Sequence, residues 1–376
     1  MTHLLHDLFG AFLSPVLPLL IERFALSYFQ VSLLNIIRDL PSLFSLAIGT
    51  FISRIDRRYL NYLIIVAPIT MIILMSLIGT IPSYMILLVL LFITGITSAA
   101  FHISTPPIIK ELSRDRIGTG ISLYQLGGEA ARSLGPLVIL GSISIWGLEG
   151  GYRLIPVGLI CSLLLYSKIK DIKIDNIFNR QEDKEHKLLL FSLLKEQSNF
   201  ILKIGAIRFF WSLIKISLTL FLPTYLTVTK GASLWLAGGA LTIVQFSGAI
   251  DTYLGGSISD SIGREKMILI SVICTSITML GLTLSSGVYL LILLIILGFF
   301  IYSINPVILT LVQEADSKPT VIINGFYKTI SFISTALATL IIGQGADLYG
   351  LTTVYRTVPL LLLLSIPLIL NLADTN

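Results

Sequence analysis

The sequence has 376 residues, 55% hydrophobic and only 12% charged, with a mean hydropathy of +0.90. Soluble domains carry about 25% charged residues, so the composition excludes a soluble globular protein and points to an integral membrane protein. The net charge of +5 does not indicate nucleic-acid binding, because it comes from lysines and arginines in the loops between apolar runs.

In chain order, twelve apolar runs fall near 4–22, 30–53, 59–79, 84–105, 118–141, 152–168, 201–226, 233–256, 266–285, 288–312, 319–342 and 351–371. Each is about 20 residues, the length that crosses roughly 30 Å of hydrocarbon. Strands are excluded, since the runs are too long and lack period-two alternation. No basic n-region with a small-residue cleavage site precedes the first run, so it is expected to be a retained helix. Cys161 and Cys274 sit inside apolar runs without metal-ligand spacing and are expected to be buried small hydrophobes.

With the N-terminus inside, cytoplasmic segments hold 17 of the 26 lysines and arginines, and outside loops hold only Arg23, Arg153, Lys230 and Arg356. The positive-inside rule therefore places both termini in the cytoplasm. The polar stretch from Lys170 to Ser198 falls midway and reads as a linker. It divides the chain into an N-terminal six-helix bundle (1–168), a cytoplasmic linker (169–199) and a C-terminal six-helix bundle (200–376). Within the linker, Leu188 to Leu194 reads either as an interfacial helix or as an extension of the seventh span.

The halves look like repeats. After the eighth span comes Gly256-x-x-x-Asp260-x-x-Gly263-Arg264-x-Lys266. Gly256 allows close helix approach, and Gly263 suits a tight turn at positive φ. Asp260 is expected to accept hydrogen bonds from a neighbouring helix N-terminus. After the second span, Gly49 and Arg57 keep this spacing, but Ser53 stands in the place of Asp260 and Asp56 in that of Gly263. The pattern resembles the loop signature of the major facilitator superfamily of transporters. That resemblance implies a gating role for Gly256, Asp260, Gly263 and Arg264. Further segments resemble the fosmidomycin-resistance branch: Thr2-His3-Leu4-Leu5-His6-Asp7, Phe101-His102, Leu123 to Gly128, and Leu134-Gly135-Pro136. Gly135 and Pro136 also resemble the Gly-Pro signature of drug:proton antiporters. The branch implies efflux of small anionic or amphipathic compounds against proton entry.

Charges inside the spans are costly and point inward, about 2.5–3.5 kcal/mol each at the bilayer centre on insertion scales. They are Arg38, Asp39, Glu129, Arg132, Arg208, Lys215, Asp251 and Lys328. Arg38 and Asp39 are neighbours about 100° apart on a helix, so different partners are expected. Glu129 and Arg132, at i and i+3, can pair. Arg208 and Lys215 share a face and cannot neutralise each other. Five cations against three anions leave two cations over; they either attract an anionic substrate or are absorbed by pairs and waters. Lys328 can pair with Asp251. A buried carboxylate can take up protons near neutral pH; Glu129 is the first candidate for proton coupling and Asp39 the second, while Asp251, near the loop, is assigned to a gate. Asp7 and His102 lie near the cytoplasmic ends of their spans, and a lone histidine is more often a structural donor. Gln125, Gln245 and Asn305, with Tyr124, Asn324 and Tyr327, either line a cavity or hydrogen-bond between helices. Arg38 and Gln245 each lie eleven residues before their loop glycine, which favours the cavity for both.

The sequence thus predicts an all-α integral membrane protein of the major facilitator fold, with twelve transmembrane helices in two pseudo-symmetric six-helix bundles in the cell membrane. Its expected work is secondary transport by alternating access, functional as a monomer, with a small-molecule substrate and protons as partners. Substrate contacts are expected at Arg38, Arg132, Arg208, Gln125, Gln245 and Asn305. Proton-coupled uptake of an organic acid, sugar or peptide, or a non-transporting sensor, uses the same parts. No His-x-x-x-His, Gly-x-Ser-x-Gly or phosphate-loop pattern is present, so no enzyme, cofactor, metal or ATP dependence is expected.

Overall fold

The structure, a computed structural model, describes residues 1–53, 57–113, 116–169, 198–314 and 320–371. The predicted linker, its apolar stretch 188–194 and Asp56 of the first loop lie outside the described residues. The side chains of Ser53, Asn305, Asn324, Tyr327 and Lys328, and the surroundings of Gly256, also lie outside them, so the pairing of Lys328 with Asp251 falls there too.

Among the described residues the chain is helical throughout. In order come α1 (Thr2–Gly10), α2 (Leu13–Phe24), α3 (Tyr28–Asp39), α4 (Ser45–Ser53), α5 (Arg57–Ser76), α6 (Tyr84–Ser113), α7 (Ile117–Trp146) and α8 (Leu154–Ile169). They are followed by α9 (Ser198–Thr219), α10 (Leu234–Ile262), α11 (Arg264–Leu284), α12 (Gly287–Glu314), α13 (Thr320–Leu363) and α14 (Ile366–Leu370). Each of the twelve predicted spans falls on helix. Eight helical stretches are long and apolar enough to cross a membrane by themselves, and a ninth arises if Leu202–Thr219 and Leu222–Thr229, bent by 53°, form one span. The count is lower than twelve partly because breaks fall inside predicted spans: a 3-10 segment at Leu40–Phe44 divides the second. Conversely, α13 runs through two predicted spans with its kink at Gly350 (φ 78°, ψ 154°). Helix is what hydrocarbon selects, because every backbone N–H and C=O must be satisfied within the segment.

The chain forms two compact units. The first comprises Met1–Leu26, Leu33–Arg180 and Ala232–Thr242. In it α1 packs along α7 and α5, and α5 along α6 and α8. Its core includes the fully buried Phe12, Leu13, Val16, Leu17 and Leu20 with Ile72 and Met75. The second comprises Ser27–Ser32, Gln181–Gly231 and Ile243–Asn376. There α9 packs along α13, and α11 along α12 and α13. Tyr225 and Tyr355 stack at 3.8 Å, the Tyr355 hydroxyl donates to the Ser217 carbonyl, and Trp211 is fully buried.

The outward faces are apolar rather than charged. On α6, Met85, Val89, Phe92 and Ile96 are exposed in one helical stripe, and on α8 so are Val157, Ile160 and Leu164, as a lipid-facing surface requires. Cys161 is exposed on that α8 surface, which corrects the expectation that it is buried: the stripe turned to lipid carries it. Loop residues that the topology assigns to one side also meet one another. Arg23 pairs with Glu149 at 3.4 Å, and Lys230 donates to the carbonyls of Thr283 and Ser285 at 2.6 and 3.2 Å. Asp347 accepts from the Tyr28 and Phe29 amides at 2.7 and 2.9 Å, capping the start of α3. Beside that cap, Ser32 donates to the Thr339 carbonyl at 2.7 Å.

The second loop is a one-residue hinge. α10 ends at Ile262, Gly263 has φ 98° and ψ 143°, and α11 starts at Arg264. Only glycine occupies that backbone region without strain, as the sequence anticipates. We expect Gly263→Ala to lower stability by about 1–3 kcal/mol, read as a reduced midpoint of thermal unfolding in detergent, while Ser261→Ala at the exposed neighbour leaves the midpoint unchanged.

Candidate functional site

The densest polar constellation among the described residues lies in the first unit, around Asp7. On α1, His3 and Asp7 are four residues apart and share a face, with His6 beside them. α7 comes close because Gly128, Arg132 and Gly135 form one stripe toward α1. A Cβ at Gly128 would lie 2.4 Å from His3 Cε1, and one at Gly135 would lie 2.6 Å from the Leu8 carbonyl oxygen. The two glycines therefore set the helix spacing, and Arg132 between them reaches Asp7.

Asp7 is buried and receives four side chains on its two oxygens. Arg132 Nη1 lies 3.0 Å from Oδ2, and His3 Nε2 lies 3.2 Å from the same atom. His6 Nδ1 lies 2.8 Å and His102 Nε2 3.3 Å from Oδ1. Arg132 also pairs with Glu129, as the spacing of those two predicts. Tyr124 fixes two of the imidazoles: its carbonyl oxygen lies 2.6 Å from His3 Nδ1, and its hydroxyl 3.1 Å from His102 Nδ1. The Tyr124 ring stacks on His3 at 3.9 Å, and Phe101 stacks on His6 at 4.4 Å. The cluster grades from inside to outside: the Asp7 side chain is 8% exposed, Glu129 16%, Arg132 37% and His102 38%. Water thus reaches the outer members, and the inner carboxylate is reached through them.

Protonation follows from who can donate. A carbonyl oxygen only accepts, so His3 Nδ1 carries a proton toward Tyr124. His3 Nε2 then faces a carboxylate oxygen, a contact that is attractive when this nitrogen is protonated too. The donor atoms of His3, Asp7 and His102 lie within 4.8 Å of one another. The fixed Arg132 charge on Asp7 opposes a metal ion there, so the set reads as a hydrogen-bond relay.

The other predicted residues are dispersed. Arg38 and Asp39 pair with each other, Nε to Oδ1 at 3.2 Å, and Asn35 bridges both at 3.1 and 3.2 Å. This corrects the expectation of separate partners: the long Arg38 side chain curls back along α3, and Asp39 stands where helix gives way to the 3-10 segment. Gln125 is exposed, away from the Asp7 contacts. Pro136 is buried inside α7, which tolerates it. In the second unit Arg208 is buried on α9, and Lys215 Nζ lies 5.7 Å from the Tyr302 ring centroid. Gln245 accepts from the Tyr302 hydroxyl, and Asp251 is fully buried. Asp260 is exposed and pairs with Arg264, which also donates to Ser259 Oγ at 2.6 Å. The i, i+4 arginine, rather than a helix N-terminus, takes this carboxylate.

Sequence reasoning missed His3, His6 and Asp7 as the hub. The signal was the i, i+4 spacing of His3 and Asp7 in the first run, together with a third imidazole at His102.

A profile of the Major Facilitator Superfamily matches residues 1–339. The chain is 24% identical over 373 residues to the fosmidomycin resistance protein of Escherichia coli (strain K12), covering 97% of this chain and 90% of that one. It is 21% identical over 355 residues to the uncharacterized MFS-type transporter YfnC of Bacillus subtilis (strain 168), covering 93% and 86%. Among solved structures it resembles the nucleoside transporter NupG, with TM-score 0.78 and 13% identity over 99% of this chain and 97% of that one. It also resembles a bacterial homolog of the human lysosomal transporter Spinster in an inward-facing, occupied conformation, with TM-score 0.80 and 14% identity over 100% and 95%. These likenesses establish the fold.

The glycine stripe gives a direct test. Gly128→Ala forces a methyl into the His3 ring, and a loss of about 1–3 kcal/mol is expected for such overpacking. Gly141→Ala, with nothing within 4 Å of its Cβ, stays within about 0.5 kcal/mol. Thermal unfolding of the two purified variants side by side checks the contrast.

Proposed function

This chain belongs to the Major Facilitator Superfamily, and from that premise we propose that it exports a small anionic or amphipathic compound by proton antiport. The proposed setting is the cell membrane, with both termini cytoplasmic and one chain as the working unit. The single observation that carries the reading is the part-buried cluster in which Asp7 and Glu129 share Arg132.

In this mechanism Glu129 is the exchangeable acid. It sits nearer solvent than Asp7 and has one arginine for a partner. Ionised, it offers a hydrogen-bond acceptor to the donor groups of the substrate, while Arg132, still held by Asp7, offers a cation to any anionic group. A proton arriving on Glu129 removes that acceptor, and the substrate leaves. Substrate and proton thus alternate on one carboxylate, which is what antiport requires. His3 and His102 hold Asp7 ionised and in place, and Tyr124 holds both imidazoles. Arg38, Arg208, Gln245 and Asn305 are further substrate contacts in this proposal; Asp39, bound by Arg38 and Asn35, is the secondary acid. The Gly256 to Arg264 loop, with Asp251 and the Gly135-Pro136 segment of α7, serves the change of access. Low-identity similarity to a fosmidomycin resistance protein supports the outward direction.

The same Arg132 favours a second reading. If protonating Glu129 frees Arg132 for an anion, proton and substrate bind together, and the protein takes up an organic acid with protons. The sign of coupling separates the two. In liposomes with a trapped pH dye, a panel of small organic anions, cations and neutral amphiphiles is applied across a proton gradient. Proton movement opposite to the substrate is expected, and movement with it selects uptake. Glu129→Gln is expected to reduce proton-driven flux at least about tenfold while substrate counterflow persists. Arg132→Gln is expected to raise the half-saturating concentration of an anionic substrate roughly tenfold or more, as befits a charge-assisted contact of about 1.5–3 kcal/mol. Unchanged proton coupling in both Glu129→Gln and Asp7→Asn proteins would sink the mechanism.

A further inference from the structure

Arg153 closes the 3-10 segment Leu148–Arg153, directly before α8 in the first unit. Two rings clasp its guanidinium: Cζ lies 5.6 Å from the Trp146 ring centroid and 5.8 Å from that of Tyr152. Both rings and the arginine are exposed. A ring attracts the cation but offers no acceptor oxygen, so the N–H donors are not consumed by it. Glu149 stands four residues before Arg153, yet it pairs with Arg23 at 3.4 Å. Lys230, another loop cation, is taken up by the carbonyls of Thr283 and Ser285. Among the described residues, the Arg153 side chain has neither an ion pair nor a hydrogen bond.

The surface that continues from Arg153 is apolar. The stretch that contains α8 is the least buried of the eight that can cross a membrane. Val157, Ile160 and Leu164 are exposed at steps of four, three and four residues from Arg153, so they lie on one helical face. Lys168 is exposed at the far end of α8. A lipid-facing stripe that ends in tryptophan, tyrosine and a cation places those groups at headgroup level. There the planar guanidinium matches two oxygens of a phosphate, and the stripe matches an acyl chain. With Glu149 held by Arg23, no carboxylate is left beside Arg153 to receive the ammonium of a zwitterionic headgroup. The charge balance favours a lipid with net negative charge.

We propose that Arg153, Trp146 and Tyr152 form a headgroup site for an anionic phospholipid. Its phosphodiester takes the guanidinium N–H groups, and its acyl chain lies along Val157, Ile160 and Leu164. The site is separate from the Asp7 cluster and uses none of the residues assigned to transport.

The tryptophan at the site reports on it. The chain has three tryptophans; Trp211 is fully buried, so in a full-length Trp235→Phe protein Trp146 is the lipid-accessible one. This protein is reconstituted in phosphatidylcholine vesicles containing equal mole fractions of brominated phosphatidylglycerol or brominated phosphatidylcholine with the same chains. Phosphatidylglycerol is expected to quench Trp146 with about fivefold higher apparent affinity, the effect of one cation at a membrane surface. That preference is lost in Arg153→Gln and kept in Arg356→Gln, whose exposed cation lies in another loop. Soluble glycerol phosphate leaves the quenching unchanged; relief by it would assign the site to free phosphate esters and overturn the lipid. Equal quenching by both lipids, or a preference that survives Arg153→Gln, would also overturn it. So would weak quenching by either lipid, which would mean that protein, such as a second copy of this chain, covers this face. No flux is measured, so the transport reading and this site fail separately.

Discussion

A carboxylate inside hydrocarbon must be surrounded by donors, and Asp7 meets that demand with an arginine and three imidazoles on two oxygens. Much of the first unit is arranged to permit it. α7 carries glycines at two places where a side chain would push α1 away, with the arginine between them. α6 contributes His102 for the carboxylate and Phe101 for the ring of His6. Tyr124 closes the set from α7, using its backbone on one imidazole and its hydroxyl on another. Without the acid, this many polar groups would have no common partner. Without the glycines, the arginine would not reach it.

Each unit holds a buried acid. Asp7 is saturated with donors and belongs to a graded path that ends at part-exposed groups. Asp251 is fully buried on α10, beside Ser303 of α12. Low dielectric strengthens every paired interaction and penalises every unpaired one, so each buried acid depends on what its neighbours offer it.

The architecture was legible in the sequence because hydrocarbon leaves few choices: apolar runs of spanning length become helices, and loop cations punctuate them. The loop hinge at Gly263 and the Glu129–Arg132 pair were legible for the same local reason, each being fixed within a turn of helix. The Asp7 hub was not, since it joins α1, α6 and α7 across more than a hundred residues. The fragments Thr2 to Asp7 and Phe101-His102 stood out only as marks of resemblance. Likewise the mutual pairing of Arg38 with Asp39 depends on how a long side chain folds back, which helical angles alone do not reveal. Breaks such as Leu40–Phe44 were hidden inside an apolar run, because hydrophobicity reports burial in lipid and not the winding of the backbone.

The cap that Asp347 places on the start of α3 is made to backbone amides, at Tyr28 and Phe29. Side-chain identity at those two positions is therefore irrelevant to it. Drift there can alter packing against Phe221, 6.3 Å from the Tyr28 ring, without weakening the cap. Only loss of the acid, or a proline that removes the donor hydrogen, undoes it. Responsibility for this fastening thus rests on one codon in the C-terminal half of the chain, while the segment it grips is free to vary.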